Sequence, residues 1–264
     1  MKILFMGRRP HAVEALSWLL ESGHEVVGVV CPSGTGDETP YWTPTVREFA
    51  QDRGLPIISS NQIHRIVRDS RPGDALFDID LVVSFLYWRR IRSSITQAAK
   101  YGCINFHPAP LPEYKGLGGY NFAILEKQQE WGATAHYVDS GFDSGPIIEV
   151  KRFSFNWQVD TAFDLEMRTR PHMLSLFKDV VTRVETEGML STFANKGGRY
   201  YTREDMNQAK QIDIDGLSKD EIELRSRAFW YPPFEGAHVI KDGVRFTIVT
   251  DEILASLKSL HDQS

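Results

Sequence analysis

The 264-residue chain is 42% hydrophobic and 25% charged, which suits a globular protein with one large domain and a small appendage. Its formal net charge of −5 argues against a protein that binds nucleic acid mainly through phosphate contacts. Cys31 and Cys103 are its only cysteines, so a disulfide framework and a cysteine zinc site are both excluded, and we expect a cytoplasmic compartment. No apolar run approaches the roughly 18 residues of a transmembrane helix, and we expect no membrane partner.

Strand and helix signals alternate from the first residue. The predicted strands of the first half lie at 2–6, 25–31, 55–58, 81–86 and 102–107. Helices are predicted at 12–21 and at 91–99. Between them, one helix is expected to start near Thr43 or Pro44, and another is expected to start after Asn61, which can cap it. This alternation predicts an α/β fold, a doubly wound, Rossmann-like and mostly parallel sheet.

The second half departs from this regular alternation. Strands are predicted at 132–138 and 147–150, followed by a long helix at 161–187. From about Phe193 the composition favours short strands, turns and a capped helix near 218–227. We therefore expect a catalytic domain over residues 1–192 and a small β-rich C-terminal subdomain over residues 193–264.

The segment CINFHPAPLPEYKG ends a predicted strand with two polar side chains. Asn105 and His107 lie two residues apart and share one face of that strand, while Phe106 points to the other. Ligands of doubly wound folds bind beyond the carboxyl ends of the strands, where this pair lies. The prolines that follow stiffen the exit of the chain and favour a wall facing a ligand.

A second loop, DSGFDSG, separates two predicted strands further along. It carries Asp139 and Asp143 together with Gly141 and Gly145. Loops held by rigid elements on both sides commonly carry functional groups. A carboxylate from this loop could reach the mouth of the sheet.

The glycine-bearing segment FMGRRP near the N-terminus does not fit a dinucleotide-binding turn. It has one glycine where the phosphate turn requires three at fixed spacing. Arg8 and Arg9 at the start of a helix could still meet an anionic group, and a solvated turn is an equal alternative.

Three motifs occur in order: N-x-H-P at the strand end, L-P-x-Y-x-G shortly afterwards, and D-x-G-x-D-x-G-x-I after a later strand. Together they closely resemble the N10-formyltetrahydrofolate-dependent formyltransferases, most densely from Ser84 to Ile148. The resemblance implies attack of a substrate amine on the formyl carbon of the folate donor. It also implies a catalytic trio in which Asn105 donates to the oxyanion, His107 transfers protons and Asp143 holds the imidazole.

The resemblance further implies a folate site built largely from main-chain groups. Its expected residues are Phe85, Leu86, Tyr87, Asp139, Ser140, Gly141 and Phe142. For the side chains of Tyr87 and Trp88, packing in the core or at the rim is an equal alternative. No metal is expected, because no second ligand-type side chain lies at a suitable spacing beside His107.

The tail segments YYTREDMNQAK and LRSRAFWYPPFEGAHVIKDG, with KGLGGYNFAI, resemble the sugar-nucleotide N-formyltransferase branch. The implied acceptor is an amino-dideoxy sugar carried on a nucleotide, a precursor of cell-surface glycans such as lipopolysaccharide O-antigen. The expected substrate-binding residues are Arg8, Arg9, Lys115, Tyr120, Asn121, Trp230 and Tyr231. Further candidates are Tyr200, Tyr201 and Phe229.

Other interpretations remain open from the sequence. Trp230 could instead pack the tail onto the main domain, and Tyr41 with Trp42 could border either a lid or a solvent-facing loop. The alternative functions are a methionyl-tRNA formyltransferase, a formyl-folate hydrolase and a non-catalytic nucleotide-binding module. A homodimer is expected from the apolar residues of the tail and from the resemblance.

Overall fold

The computed structural model of the chain describes residues 1–33 and 44–255. Tyr41 and Trp42, expected to border either a lid or a solvent-facing loop, and Thr43, at the expected start of a helix, lie outside these ranges.

The strands of the described ranges are β1 (Lys2–Gly7), β2 (Glu25–Val30), β3 (Ile57–Ile58), β4 (Leu81–Phe85), β5 (Cys103–His107), β6 (Tyr114–Gly116), β7 (Glu130–Tyr137), β8 (Ile147–Ser154), β9 (Arg199–Tyr201), β10 (His238–Lys241) and β11 (Val244–Thr247). The helices are α1 (Pro10–Glu21), α2 (Val46–Asp52), α3 (Ile63–Asp69), α4 (Ser93–Thr96), α5 (Gly119–Leu125), α6 (Ala162–Glu187), α7 (Arg203–Lys210) and α8 (Lys219–Ala228).

A seven-stranded sheet in the order β3-β2-β1-β4-β5-β7-β8 forms the framework. The pairings from β3 through β5 are parallel, and β7 runs antiparallel to β5. The chain winds outward from β1 in one direction to β3 and then returns to place β4 and β5 on the other side. This order confirms the predicted doubly wound, Rossmann-like α/β class, with a strand-rich C-terminal region. It also places a crevice beyond the carboxyl ends of β1 and β4, beside β5.

The sheet is covered on both faces, which explains its nearly unbroken apolar strands. One buried cluster joins β1, β4 and β5 to helices α1 and α6, and a second joins the opposite face to α3 and α4. Phe177 of α6 packs against Phe85 and Phe106, with ring centroids 5.5 and 5.0 Å apart. These contacts fix the ends of β4 and β5, where the predicted catalytic residues begin.

Two predictions about local structure were wrong. The helix expected over 91–99 contains only Ser93–Thr96, because the following residues bond to the chain that enters β4, with Lys100 N donating to Ile79 O at 2.8 Å. Asn61 does not cap α3: Gln62 is its N-cap residue and makes no capping bond through its side chain. Asn61 instead accepts a 2.6 Å hydrogen bond from Arg89 Nη1.

The contacts divide the chain into two compact units. Unit 1 comprises Met1–Glu113, Gly132–Lys151 and Arg170–Gly198, and unit 2 comprises Tyr114–Trp131, Arg152–Thr169 and Arg199–Ser264. The expected division at residues 192 and 193 stays a prediction.

Unit 2 has its own aromatic and polar core. Tyr201 stacks on Phe122 with a centroid distance of 4.1 Å and lies parallel to Tyr114 at 5.6 Å. The hydroxyl groups of both tyrosines donate 2.6 Å hydrogen bonds to the Glu126 carboxylate. Capping boxes begin both α7 and α8, and the sequence analysis predicted only the second of these helices, near 218–227.

Within residues 1–33 and 44–255, no helix combines the length and apolar character needed to cross a membrane. The same ranges contain no group of three or more His, Cys, Asp or Glu residues arranged to hold a metal ion.

Candidate active site

The end of β5 lies between two strands that present polar residues to the same face. Asn105 is opposite Ser84 of β4 and His136 of β7, and His107 is opposite Thr134 of β7. Directly opposed residues of neighbouring strands share a face of the sheet. Unit 1 therefore gathers all five polar side chains on one side of the sheet.

The side chain of Asn105 is held at both ends of its amide. Ser84 Oγ donates a 2.7 Å hydrogen bond to Asn105 Oδ1. Asn105 Nδ2 lies 3.0 Å from His136 Nε2. The contact with His136 therefore fixes the amide orientation, and the second hydrogen on Nδ2 remains available as a donor.

His136 is a buried, neutral acceptor. Its Nδ1 lies 2.8 Å from the carbonyl oxygen of Tyr137, which can only accept, so Nδ1 carries the proton. Burial lowers the pKa of His136 from 6.5 to about 4, although the nearby Asp143 carboxylate acts in the opposite direction. Nε2 is therefore unprotonated near neutral pH and accepts from Asn105 Nδ2. The sequence reasoning missed this residue.

His107 and Asp143 lie next to each other beside Asn105 and His136. His107 Nδ1 lies 3.5 Å from Asp143 Oδ1, and the same oxygen lies 3.9 Å from His136 Nε2. His107 is 7% exposed. A separation of 3.5 Å exceeds that of a normal hydrogen bond, yet contacts of this kind commonly tighten when substrate binds. The structure thus brings together the three predicted catalytic residues.

The loop that carries Asp143 is tightly folded on itself. Asp139 Oδ1 accepts hydrogen bonds from Gly141 N at 2.9 Å and from Ser144 Oγ at 2.6 Å. A Cβ at Gly145 would collide with the carbonyl oxygen of Tyr137, so only glycine fits there. Asp143 itself adopts φ +50°, a left-handed conformation that non-glycine residues seldom adopt.

A segment after α6, residues 190–198, which we call the strap, holds this loop in place. Phe193 pairs with Ile147 through two backbone hydrogen bonds of 2.8 and 3.0 Å. Asn195 Nδ2 then donates to the carbonyl oxygens of Asp143 and Gly145, each at 2.9 Å. The strap therefore fixes the backbone on which the Asp143 carboxylate is mounted.

The proline-rich exit from β5 is fixed by Thr134. Thr134 Oγ1 donates to Ala109 O at 2.7 Å and accepts from Leu111 N at 2.9 Å. The backbone of Gly198, at the end of the strap, packs so closely on Pro112 that a Cβ would collide with its carbonyl oxygen. The chain that leaves His107 is therefore supported along its length, as the prolines predict.

A cavity of about 330 Å³ lies in unit 1 beside the Asp143 loop. Its lining residues are Arg90, Ile91, Ser93, Thr96, Gln97, Asp139 and Ser140. The Arg90 guanidinium donates to the carbonyl oxygen of Ser140, which joins the two walls. The size falls near the lower end of the roughly 300–1,000 Å³ typical of ligand pockets.

The predicted folate residues occupy different environments. Asp139 and Ser140 line the cavity, and Phe142 is 50% exposed. Phe85 is 1% exposed and packs in the core, and Leu86 adopts φ +57° at the turn after β4. The Tyr87 ring packs against the second core cluster and against Trp88. The cavity walls also include residues 90–97, which the prediction did not contain.

The predicted substrate-binding residues are divided between the two units. Arg8 and Arg9 precede α1 in unit 1, where Arg9 is the N-cap residue with φ +72°. The remaining predicted residues belong to unit 2: Lys115, Tyr120, Asn121, Trp230 and Tyr231. Asn121 Nδ2 donates to Ala228 O at 2.6 Å and so supports the end of α8. Trp230 O accepts from Phe163 N at 3.2 Å. Their roles in binding stay predictions.

Two of the residues that the prediction missed, Ser84 and His136, carried a readable signal. Each is a polar residue in an apolar strand, on the face that would meet Asn105 if the strands paired in register. Asn195 carried no such signal, because the strap forms neither a named strand nor a helix and so has no periodic pattern of apolar residues.

Comparison with known proteins relates the central part of the chain to one family. Residues 64–181 match the family model described as formyl transferase. The methionyl-tRNA formyltransferase of Alkaliphilus oremlandii is 35% identical over 154 residues, which are 56% of this chain and 48% of that protein. The enzyme of the same name from Bacillus mycoides is 31% identical over 179 residues, 66% of this chain and 56% of that protein. The chain thus spans about half the length of these curated relatives.

Solved structures resemble the chain over nearly its whole length. A 4-N formyltransferase from Francisella tularensis superimposes with a TM-score of 0.77 at 18% identity, covering 94% of this chain and 96% of that one. An N-formyltransferase from Helicobacter canadensis, in complex with folinic acid and dTDP-3-aminofucose, gives 0.73 at 21% identity and covers 93% and 86%. WlaRD, a sugar 3N-formyltransferase with dTDP and 5-N-formyl-THF, gives 0.73 at 22% identity and covers 95% and 87%. At these identities the likeness establishes the fold.

Proposed function

We propose that the protein transfers a formyl group from N10-formyltetrahydrofolate to the amino group of an amino-dideoxy sugar linked to a nucleotide. The observation that carries formyl transfer is the oriented amide of Asn105 beside the His107 and Asp143 pair. The match of residues 64–181 to the formyl transferase model supports the same reaction class. We further propose a cytoplasmic homodimer that acts on a precursor of cell-surface glycans.

The residues of unit 1 fit the proposed donor. The cavity beside Asp139 and Ser140 has an apolar residue, Ile91, in its wall and residues with hydrogen-bonding side chains at Ser93, Thr96 and Gln97. This mixture suits a flat heteroaromatic ring with polar edges. When bound, the donor supplies an activated formyl carbon whose oxygen becomes negative as an amine adds to it.

Each member of the trio has a role that its geometry supports. Asn105 presents one Nδ2 hydrogen to the developing negative charge, while its other hydrogen stays bonded to His136. His107 exchanges protons with the amine or the leaving nitrogen, because an imidazole has one nitrogen that can accept a proton and one that can donate it. Asp143, 3.5 Å away, orients the imidazole and stabilises its cation. The backbone restraint from Asn195 keeps the carboxylate in place.

The choice of a sugar acceptor rests on the architecture of the chain. The solved sugar 3N-formyltransferase WlaRD matches the chain over 95% of its length, whereas the methionyl-tRNA enzymes match 56–66% of it. The net charge of −5 also disfavours a polyanionic RNA partner. The curated relatives keep methionyl-tRNA formylation as the second candidate function.

A single incubation series separates the candidates. Purified protein with N10-formyltetrahydrofolate is offered dTDP-, UDP- and GDP-linked amino sugars, charged initiator tRNA, or no amine, and products are read by mass. A formylated sugar is the expected result, and Asn105→Ala should lower its rate by about 10²- to 10³-fold. Formylated tRNA alone would refute the sugar assignment. Formate released without any amine would indicate a hydrolase.

A further inference from the structure

Arg227, near the end of α8 in unit 2, is a buried cation whose charge is not neutralised. Its side chain is nine-tenths buried, with a relative exposure of 9%. Nε is fully buried without a hydrogen-bond partner. Across residues 1–33 and 44–255, the structure gives this guanidinium no hydrogen bond and no ion pair. The terminal Nη nitrogens keep the residual contact with solvent.

This arrangement is costly unless something else binds there. Burial of a charged group without a partner opposes folding, and native proteins pair or solvate such groups. The adjacent Ser226 is 1% exposed, and its Oγ also lacks a hydrogen-bond partner among the described residues. Two neighbouring polar side chains thus have unused hydrogen-bonding capacity in the same turn of α8.

The position of Arg227 at a helix C-terminus does not by itself explain the burial. A cation in the last turn does favour the helix dipole, but Arg225 already occupies that turn. Arg225 Nη1 donates a 2.8 Å hydrogen bond to the carbonyl oxygen of Ala209. Arg225 therefore shows how an arginine of α8 is satisfied within the protein, and Arg227 does not follow that pattern.

Aromatic rings lie directly after the buried cation. Tyr231, four residues beyond Arg227, packs edge-on against Phe163 at a centroid distance of 6.1 Å and packs in a tilted arrangement against Phe234 at 5.4 Å. Phe234 is 46% exposed, so this group offers ring surface to solvent. The chain turns directly after the cation, because Trp230 N donates to Arg227 O at 3.2 Å. A guanidinium followed along the chain by partly exposed rings suits a ligand that combines negative charge with a flat ring.

We propose that Arg227 is the anchor for the diphosphate of a nucleoside diphosphate group, with the aromatic residues beyond α8 beside the base. This assignment rests on the proposed function, in which the acceptor sugar is carried on a nucleotide. Terminal guanidinium nitrogens bind phosphate oxygens in pairs, and the low dielectric of a buried site strengthens the contact. Arg227 is thereby a specificity residue for the acceptor and takes no part in proton transfer.

The test compares Arg227→Met with the matched control Arg225→Met. Binding of dTDP, UDP, GDP and inorganic pyrophosphate to the full chain is measured by calorimetry at one ionic strength, with thermal unfolding recorded in parallel. Affinity for the preferred diphosphate should fall on the order of 10- to 100-fold in Arg227→Met. Arg225→Met should stay within about threefold of wild type, because its guanidinium is used inside the protein.

The unfolding temperature of the ligand-free proteins gives a second readout, because a ligand anchor and a structural arginine predict different changes. Removing an unpaired buried charge should leave the unfolding temperature of Arg227→Met unchanged or higher, whereas a purely structural arginine would lower it. Arg227→Lys, which keeps the charge, should retain more pyrophosphate affinity than Arg227→Met. If Arg227→Met fails to fold, the pyrophosphate affinity of Arg227→Lys is compared with that of the wild type instead, and it should be lower because lysine cannot bind phosphate with two parallel hydrogen bonds.

The outcomes separate this inference from the proposed function. Unchanged diphosphate affinity in Arg227→Met, or no binding of any diphosphate by the wild type, overturns the anchor. Formyl transfer to a nucleotide sugar with an unaltered acceptor KM in Arg227→Met also overturns it, while the function stands. Diphosphate binding that depends on Arg227 in a protein that formylates no sugar supports the anchor and refutes the function.

Discussion

Replacement of His136 tests whether the Asn105 amide must be held in one orientation. In the wild type, an inverted amide would place Asn105 Oδ1 against the lone pair of His136 Nε2. One hydrogen bond would be lost and two acceptors would face each other, which costs about 1–3 kcal/mol. The productive orientation is therefore favoured by roughly 5- to 150-fold. Ser84 adds nothing to this preference, because its hydroxyl can donate or accept.

His136→Leu removes the preference without removing the catalytic amide. Both orientations then become about equally populated, which costs about twofold, and the lost lateral hydrogen bond of about 0.5–1.5 kcal/mol costs a further two- to tenfold. We expect kcat to fall about 4- to 20-fold, with little change in KM for either substrate. His136→Gln, whose Oε1 can accept from Asn105 Nδ2, should stay within about threefold of wild type.

The assay is steady-state formyl transfer from pH 6 to 9, with Asn105→Ala as the reference for complete loss of the donor. Because the pKa of His136 is about 4, its neutral form prevails across this range and the pH profile should keep its shape. A loss of 10²-fold or more in His136→Leu, with a changed profile, would mean that His136 itself exchanges protons. No loss at all would mean that the amide orientation does not limit the rate.

Three further outcomes follow from other contacts. Burial lowers the pKa of His136 from 6.5, its value in an unfolded chain, to about 4 in the folded protein. As the pH falls, the unfolded chain therefore binds the proton first, and the free energy of unfolding should drop by up to about 3 kcal/mol between pH 6.5 and 4. Urea unfolding should show a shallower drop in His136→Gln, and an identical drop would contradict the assignment. Asn195→Ala should speed amide hydrogen exchange in residues 139–146, whereas Lys196→Ala should not; equal exchange in both would exclude the clamp. Tyr201→Phe should cost about 1.5–3 kcal/mol in urea unfolding by removing a bond to the Glu126 carboxylate, while the exposed Tyr200→Phe should cost nothing measurable; parity of the two would refute this role.

Much of the site could be predicted from local pattern alone. The alternation of side chains along β5 places Asn105 and His107 on one face in any sheet, and the apolar runs of β1 and β4 require cover on both sides. The Asp143 loop stood out by its glycines, and Gly145 does adopt a position that a Cβ would block. These are consequences of backbone geometry within one element, so the sequence carries them directly.

The partners of those residues were decided by tertiary structure. The contact of Asn105 with His136 depends on the register between β5 and β7, and the clamp on Asp143 comes from Asn195, 52 positions away. Nothing in the sequence marks Arg227, because a basic residue in the last turn of a helix is ordinary there. Periodicity fixes which face a residue occupies. Which groups meet across that face, and which charge is left buried, depends on the packing of distant segments, which no local pattern encodes.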